Sequence, residues 1–160
     1  MTLYRHFASK DDLVLAFLQR REELWTRDWL QAEVERRATE PGQRLLAVFD
    51  VFDEWFRRED FEGCSFINVL LEIADPISPL HRASASHLAR IRFFVERLAA
   101  EAGVEDPKGF ASKWHILMKG SIVAAAEGDR EAARRAQKVG ALLLSEATDP
   151  VTKAASVAAS

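Results

Sequence analysis

The chain has 160 residues, of which 48% are hydrophobic and 29% are charged, and its formal net charge is −3 at pH 7. This composition is typical of one ordinary globular domain and excludes a disordered tail, a collagen-like chain and a membrane protein. The single cysteine, Cys64, excludes an internal disulfide and a CxxC zinc site. No apolar run approaches the roughly 18 residues that span a bilayer, and residues 1–10 lack a signal-peptide pattern. We therefore expect a cytoplasmic protein without a membrane partner.

The charge is unevenly distributed along the chain. Residues 1–10 carry Arg5 and Lys10 and no acid, a net charge of +2, whereas residues 11–160 carry −5. Dedicated nucleic-acid-binding proteins are usually basic overall. We therefore expect any contact with nucleic acid at the extreme N-terminus and not on the neutral-to-acidic remainder.

The first long element is predicted to be a helix that begins at Ser9 and runs to about residue 37. Ser9 with Asp12 three residues later resembles a capping box, and the acids at positions 11 and 12 suit the positive end of a helix dipole. A stripe of apolar side chains at helical spacing follows, formed by Val14, Leu18, Trp25 and Trp29.

Proline and glycine divide the rest of the chain into further segments of helical length. The pattern predicts helices over about 42–59, 65–74, 79–102, 107–127 and 129–147. Asp106 and Asp129 are the predicted caps of the last two helices, and Pro107 suits the first position of a helix. The predicted fold class is therefore all-α, a bundle of about six helices with a short helical stub at the N-terminus.

Residues 2–13, which read TLYRHFASKDDL, resemble a signature of TetR-type transcriptional regulators (the TetR/AcrR family). In that family the run ends the recognition helix of a helix-turn-helix and begins the next helix. Residues 63–68, GCSFIN, resemble the GCxFIN segment of one subgroup of the family's C-terminal domains. Residues 118–129, with the alanines at 132, 133 and 136, resemble the last two helices of the family, which pair in a dimer.

The resemblance implies a division of the chain into three parts. Residues 1–38 correspond to a recognition-helix remnant and the connecting helix, residues 39–147 to a ligand-binding and dimerisation domain, and residues 148–160 to a flexible tail. The family's first two helices would precede Met1, so most of the helix-turn-helix is expected to be missing from this sequence. Without those helices a recognition helix is not held in register for the major groove.

The resemblance implies three sets of site residues. Operator DNA is expected to meet hydroxyl, imidazole and cationic groups, at Thr2, Tyr4, Arg5, His6 and Lys10. A small apolar or aromatic effector is expected between Phe52, Trp55, Phe56, Phe66, Leu70, Phe93, Phe94, Trp114 and Met118, with polar contacts from Asn68, Glu72, His87 and His115. A homodimer is expected through Leu117, Gly120, Ser121, Ile122, Ala124, Ala125, Val139, Gly140, Leu143 and Leu144.

Each set has a plainer alternative. The cationic residues near the N-terminus fit a solvated chain end, the aromatic stripes fit a filled core, and the small residues fit packing within one protomer. The histidines at 81 and 87 are off the spacing of a metal pair, and G-x-S-x-G is absent from the sequence. We therefore expect no enzyme activity, catalytic residue, metal or cofactor.

Two functions follow as expectations. The first is a dimeric, ligand-responsive transcriptional regulator of the TetR type, most simply a repressor. The alternative is a stand-alone dimeric module that binds a small molecule or another protein and does not bind DNA.

Overall fold

The structure is a computed structural model that describes residues 7–149. Every regular element within that range is helical, which confirms the all-α prediction. Helix α1 covers residues 10–37 without interruption and consists of an α-helical part, Lys10–Arg21, a π-helical part, Glu22–Gln31, and a second α-helical part, Ala32–Arg37. The others are α2 (Pro41–Phe56), α3 (Ser65–Glu72), α4 (Pro79–Glu101), α5 (Pro107–Ala126) and α6 (Ala132–Thr148).

The starts of the helices follow local chemistry. The Ser9 hydroxyl accepts a hydrogen bond from the Asp12 amide at 3.1 Å, and the Asp106 carboxylate accepts one from the Gly109 amide at 2.9 Å, so both predicted caps are confirmed. The predicted cap at Asp129 is wrong. Asp129 lies in the turn before α6, where its carboxylate accepts from the Glu131 amide, and the helix begins only at Ala132.

The π-helical part of α1 accounts for an unusual burial pattern. The buried residues of this helix recur every four positions, at Leu18, Glu22, Thr26, Leu30 and Val34. In an α-helix a step of four residues overshoots a full turn by about 40°, so four steps would carry the stripe about 160° around the axis. A π-helix has more residues in each turn. Ten π-helical residues therefore keep the stripe closer to one face.

The six helices pack around one aromatic-rich core. Helix α5 lies between α4 and α6, α6 packs on α2, and α3 packs on α4. The two ends of α1 rest on different neighbours, residues 10–21 on α4 and residues 32–37 on α2. Among the largest fully buried side chains are Trp114, Phe49, Phe52 and Phe66.

Helix α6 is held to α2 by a polar network. Arg134 donates to Asp50 and Asp53 of α2, and the Gln137 amide donates to the Leu46 carbonyl at 3.0 Å. Burial alone would raise the pKa of the Asp53 carboxyl, but the hydrogen bonds and charges of Arg57 and Arg134 outweigh it and lower that pKa.

Candidate functional site: a groove between helices α1 and α4

An open groove of about 530 Å³ runs between the π-helical part of α1 and one face of α4. This volume lies within the range of small-molecule sites, roughly 300–1,000 Å³. Helix α1 contributes two pairs of residues spaced by four, positions 22 and 26 and positions 27 and 31. Helix α4 contributes a face that includes Ser86, Arg90, Phe93 and Arg97, and Lys108 adds a cation from the start of α5.

A buried carboxylate joins the two walls of this groove. Glu22 is only 3% exposed, and its two oxygens lie 3.5 Å from the Arg27 guanidinium and 3.4 Å from that of Arg90. Because Arg27 lies on α1 and Arg90 on α4, the carboxylate links the helices. A second hollow of about 340 Å³ shares Glu22, Arg27, Ser86 and Arg90 with the groove. The ion pairs of Glu22 with Arg27 and Arg90 therefore lie between the groove and the second hollow.

A hydroxyl inside the groove lacks a hydrogen-bond partner. Thr26 is 1% exposed, and its Oγ1 forms no hydrogen bond within the described part of the chain. An unsatisfied buried polar atom costs on the order of 1–3 kcal/mol.

Most of the predicted effector wall is packed against itself. Phe52, Trp55 and Phe56 form a cluster with Trp25 and Phe61 in which ring centroids lie 4.7–6.2 Å apart. A space of about 10 Å³ beside this cluster has room for about one water. These aromatic rings therefore fill a core in this conformation.

The remaining predicted effector residues are spread over several environments. Phe93 and Phe94 line the groove, and His87 lines the adjoining hollow, where its ring lies 4.8 Å from that of Phe66. Trp114, His115 and Met118 are buried in α5, whereas Leu70 is half-buried and Asn68 and Glu72 are exposed on α3. The structure thus brings Phe93 and Phe94 to one open site, and the effector contacts remain predictions.

Sequence reasoning missed the polar residues of α1 that form the groove. The signal was available in part, because Glu22 and Thr26 interrupt an otherwise apolar series that continues with Leu18, Leu30 and Val34 at steps of four. The predicted apolar stripe assumes the pitch of an ordinary α-helix and therefore includes Trp25 and Trp29. In the structure these two residues are half-buried beside the series of buried residues.

The predicted dimer residues divide between two sides of the α5–α6 pair. Ser121, Ile122 and Gly140 are buried within the protomer, and a Cβ on Gly140 would lie 2.8 Å from the Trp114 ring. Gly120 and Val139 are exposed, and five are half-buried, namely Leu117, Ala124, Ala125, Leu143 and Leu144. Three large apolar side chains outside the predicted set extend the exposed side: Ile116, Val123 and Leu142.

Of the predicted DNA contacts, the structure describes one. Lys10 is exposed at the first turn of α1. Thr2, Tyr4, Arg5 and His6 lie outside the described residues, as do most of the residues of the expected tail.

Residues 7–149 offer little for metal, thiol or membrane chemistry. In that part of the chain, no three His, Cys, Asp or Glu side chains are placed to share a metal ion. There, too, no helix combines the length and the apolar character that crossing a bilayer requires. Burial raises the pKa of the Cys64 thiol, which disfavours the reactive thiolate.

Comparison with known proteins identifies the fold family. The family model described as "Tetracyclin repressor-like, C-terminal domain" matches residues 41–139, more than half of the chain. The chain belongs to this family. The match covers helices α2 to α5 and the start of α6, and it confirms the TetR-type resemblance for this C-terminal domain.

Relatives of this tetracyclin repressor-like domain include regulators and a solved structure. The chain is 23% identical over 108 residues to the HTH-type transcriptional regulator YjdC of Escherichia coli K12, and the Shigella flexneri protein of that name matches equally. The match covers 68% of this chain and 54% of the relatives, so it spans about half of their length. SCO4454, a TetR-family transcriptional regulator from Streptomyces coelicolor, superposes with a TM-score of 0.81 and 28% identity, over 92% of this chain and 78% of that chain.

Proposed function

We propose that this chain is the body of a dimeric TetR-type transcriptional regulator, in which a small molecule bound between α1 and α4 controls binding of operator DNA, with repression as the expected sign. The observation that carries the proposal is the course of α1. This helix begins inside the motif that resembles the family's DNA-binding signature, and its residues 22–31 form one wall of the groove.

The coupling follows from where a ligand would lie. A molecule in the groove contacts α1 and α4 together, so its affinity depends on the position of α1 relative to the bundle. If the ligand binds more tightly to one position of α1 than to another, it raises the population of the first. The affinity for DNA, which is bound at the start of α1, then changes as well. Couplings of this kind are typically 1–3 kcal/mol, or roughly 5–150-fold in affinity.

The exposed side of α5 and α6 is the proposed dimer interface. Ile116 is 65% exposed and Leu142 is 71% exposed, and Gly120, one turn after Ile116, would place a Cβ in open space beyond its own helix backbone. A two-fold axis would bring this patch against its own copy and bury it. We expect a dimer by analytical ultracentrifugation.

Matched charge variants test that interface. Ile116→Glu and Leu142→Glu should give monomers at concentrations where the parent chain is dimeric. Leu71→Glu alters an equally exposed leucine on α3 and should leave the dimer unchanged. Dimers that survive both interface variants would contradict the assignment.

DNA binding is tested with the protein produced from the intact gene. Genomic selection followed by fluorescence anisotropy should yield a sequence-specific, salt-dependent site. Lys10→Gln should weaken binding uniformly across sequences and reduce the salt slope by about one, whereas Lys113→Gln, a change at an exposed lysine on α5, should have no effect. Failure to select any site would refute the regulator and favour the stand-alone module.

A further inference from the structure

The groove concentrates positive charge in an acidic chain. Its lining includes five cations, Arg27, Arg90, Arg92, Arg97 and Lys108, and two acids, Glu22 and Glu96, a net charge of +3 against −3 for the whole chain. The first two arginines already face Glu22, and Arg97 lies within 4 Å of Glu35 and Glu101.

Two of these cations have no carboxylate of their own. Within residues 7–149, neither Arg92 nor Lys108 forms a salt bridge, although both side chains line the groove. They come from different helices, α4 and α5, and so approach the same space from two directions. Glu96 also lines the groove but pairs with neither cation, so an anion there would meet two exposed cations that form no ion pair within residues 7–149.

The same groove presents apolar surface beside the charge. The Phe93 ring is 67% exposed, and the Arg97 guanidinium lies 5.5 Å from the centre of the Phe94 ring, within range of a cation–π contact. Thr26 also lines this space, and its buried hydroxyl has no hydrogen-bond partner within the described residues. Aromatic surface and unpaired cations together define an amphipathic site.

We propose that the groove binds an amphipathic organic acid, with its anionic group at Arg92 and Lys108 and its apolar body against Phe93. The inference rests on the proposed function in one respect, which is that the groove is the effector site. A cationic ligand would meet net repulsion, and a neutral one would gain nothing from either cation. The acid is expected to have a body that fills part of 530 Å³.

Two fluorescent probes that differ by one charged group test the ligand class. Anilinonaphthalene sulfonate and N-phenylnaphthylamine share an apolar skeleton, and the first also carries a sulfonate. The sulfonate should bind about tenfold more tightly, because only the sulfonate can form ion pairs with the two exposed cations. Decanoate should displace it, and decanol at equal concentration should not.

Variants locate the binding site. Arg92→Gln with Lys108→Gln should weaken the sulfonate about tenfold and leave the neutral probe unchanged. The matched control is Arg82→Gln with Lys113→Gln, which removes two exposed cations from the same two helices outside the groove and should change neither affinity. Phe93→Ser should weaken both probes, whereas Leu71→Ser, an exposed apolar change on α3, should weaken neither.

The outcomes separate this inference from the proposed function. If Phe93→Ser weakens both probes but the charge variants change nothing, the groove takes a neutral ligand and the acid is refuted, while ligand control of DNA binding stands. If no groove variant alters either probe, the groove is not the site. Absence of DNA binding by the intact gene product would refute the regulator and leave the probe result unaffected.

Discussion

His115 should make the stability of the fold depend on pH. This side chain lies on α5 and is 3% exposed, and its Nδ1 has no hydrogen-bond partner within the described residues. Burial, reinforced by the positive charges of Lys119 and Arg92, lowers its pKa from 6.5 to about 4. The folded protein therefore holds the imidazole neutral at pH values where the unfolded chain is protonated.

The sign and size of the effect follow from these values. Between pH 6.5 and about 4 the unfolded state binds more protons than the folded state, so the free energy of unfolding falls as the pH falls. From pH 7.5 to pH 5, His115 alone should reduce that free energy by about 2 kcal/mol. Burial also lowers the pKa of His87, which adds a smaller change of the same sign.

The assay is urea unfolding at pH 7.5 and pH 5, followed by tryptophan fluorescence and circular dichroism at one fixed protein concentration. Wild type should lose more stability between the two values than His115→Leu, by about 2 kcal/mol. Met118→Leu, a volume-conserving change at a neighbouring buried position, should show the wild-type dependence. Equal pH dependence in wild type and His115→Leu would refute the reasoning.

The remaining predictions concern packing, capping and one ion pair, each measured by urea unfolding. Gly140→Ala should destabilise by about 1–3 kcal/mol because its Cβ would lie 2.8 Å from a tryptophan ring; Gly42→Ala, whose Cβ would make only an ordinary contact at 3.4 Å, should not, and equal losses would contradict the packing. Asp106→Ala should cost about 1 kcal/mol through the lost α5 cap, and no loss would show that the cap is dispensable. Arg134→Gln should cost about 1 kcal/mol at pH 7. Because the pKa of its partner Asp53 is lowered from 3.8, that cost should begin to fall as the pH drops below 3.8 and should disappear once the pH is below the lowered pKa; a cost that persists there would exclude the ion pair as its cause.

The helices were largely predictable from local signals. Pro79 and Pro107 stand at the first positions of α4 and α5, as the breaks in the sequence predicted, and the cap at Ser9 formed as expected. The prediction that Asp129 caps the last helix is wrong because a carboxylate before an alanine-rich run can cap a turn as readily as a helix. In the structure the Asp129 carboxylate caps the turn.

The site was predictable only in part, because it depends on the pitch of one helix and on contacts distant in sequence. The aromatic criterion predicts Phe93 as an effector contact, and the structure places this residue at the groove. The same criterion predicts Trp114, which is fully buried. The sequence alone does not indicate Glu22, because an acid in the middle of a helix is usually exposed and its partner Arg90 lies 68 positions later.

The π-helical turns of α1 also bear on how related chains can diverge. Each residue added to or removed from a helix rotates everything beyond it by about 100° and moves it about 1.5 Å along the axis. A change of length within residues 22–31 would therefore turn Lys10 and, with it, the buried Leu18 that packs residues 10–21 against the bundle. A related chain with a different length here must therefore place another apolar side chain against α4, and residues on either side of the π-helical part should be matched to relatives by direction in space and not by counting.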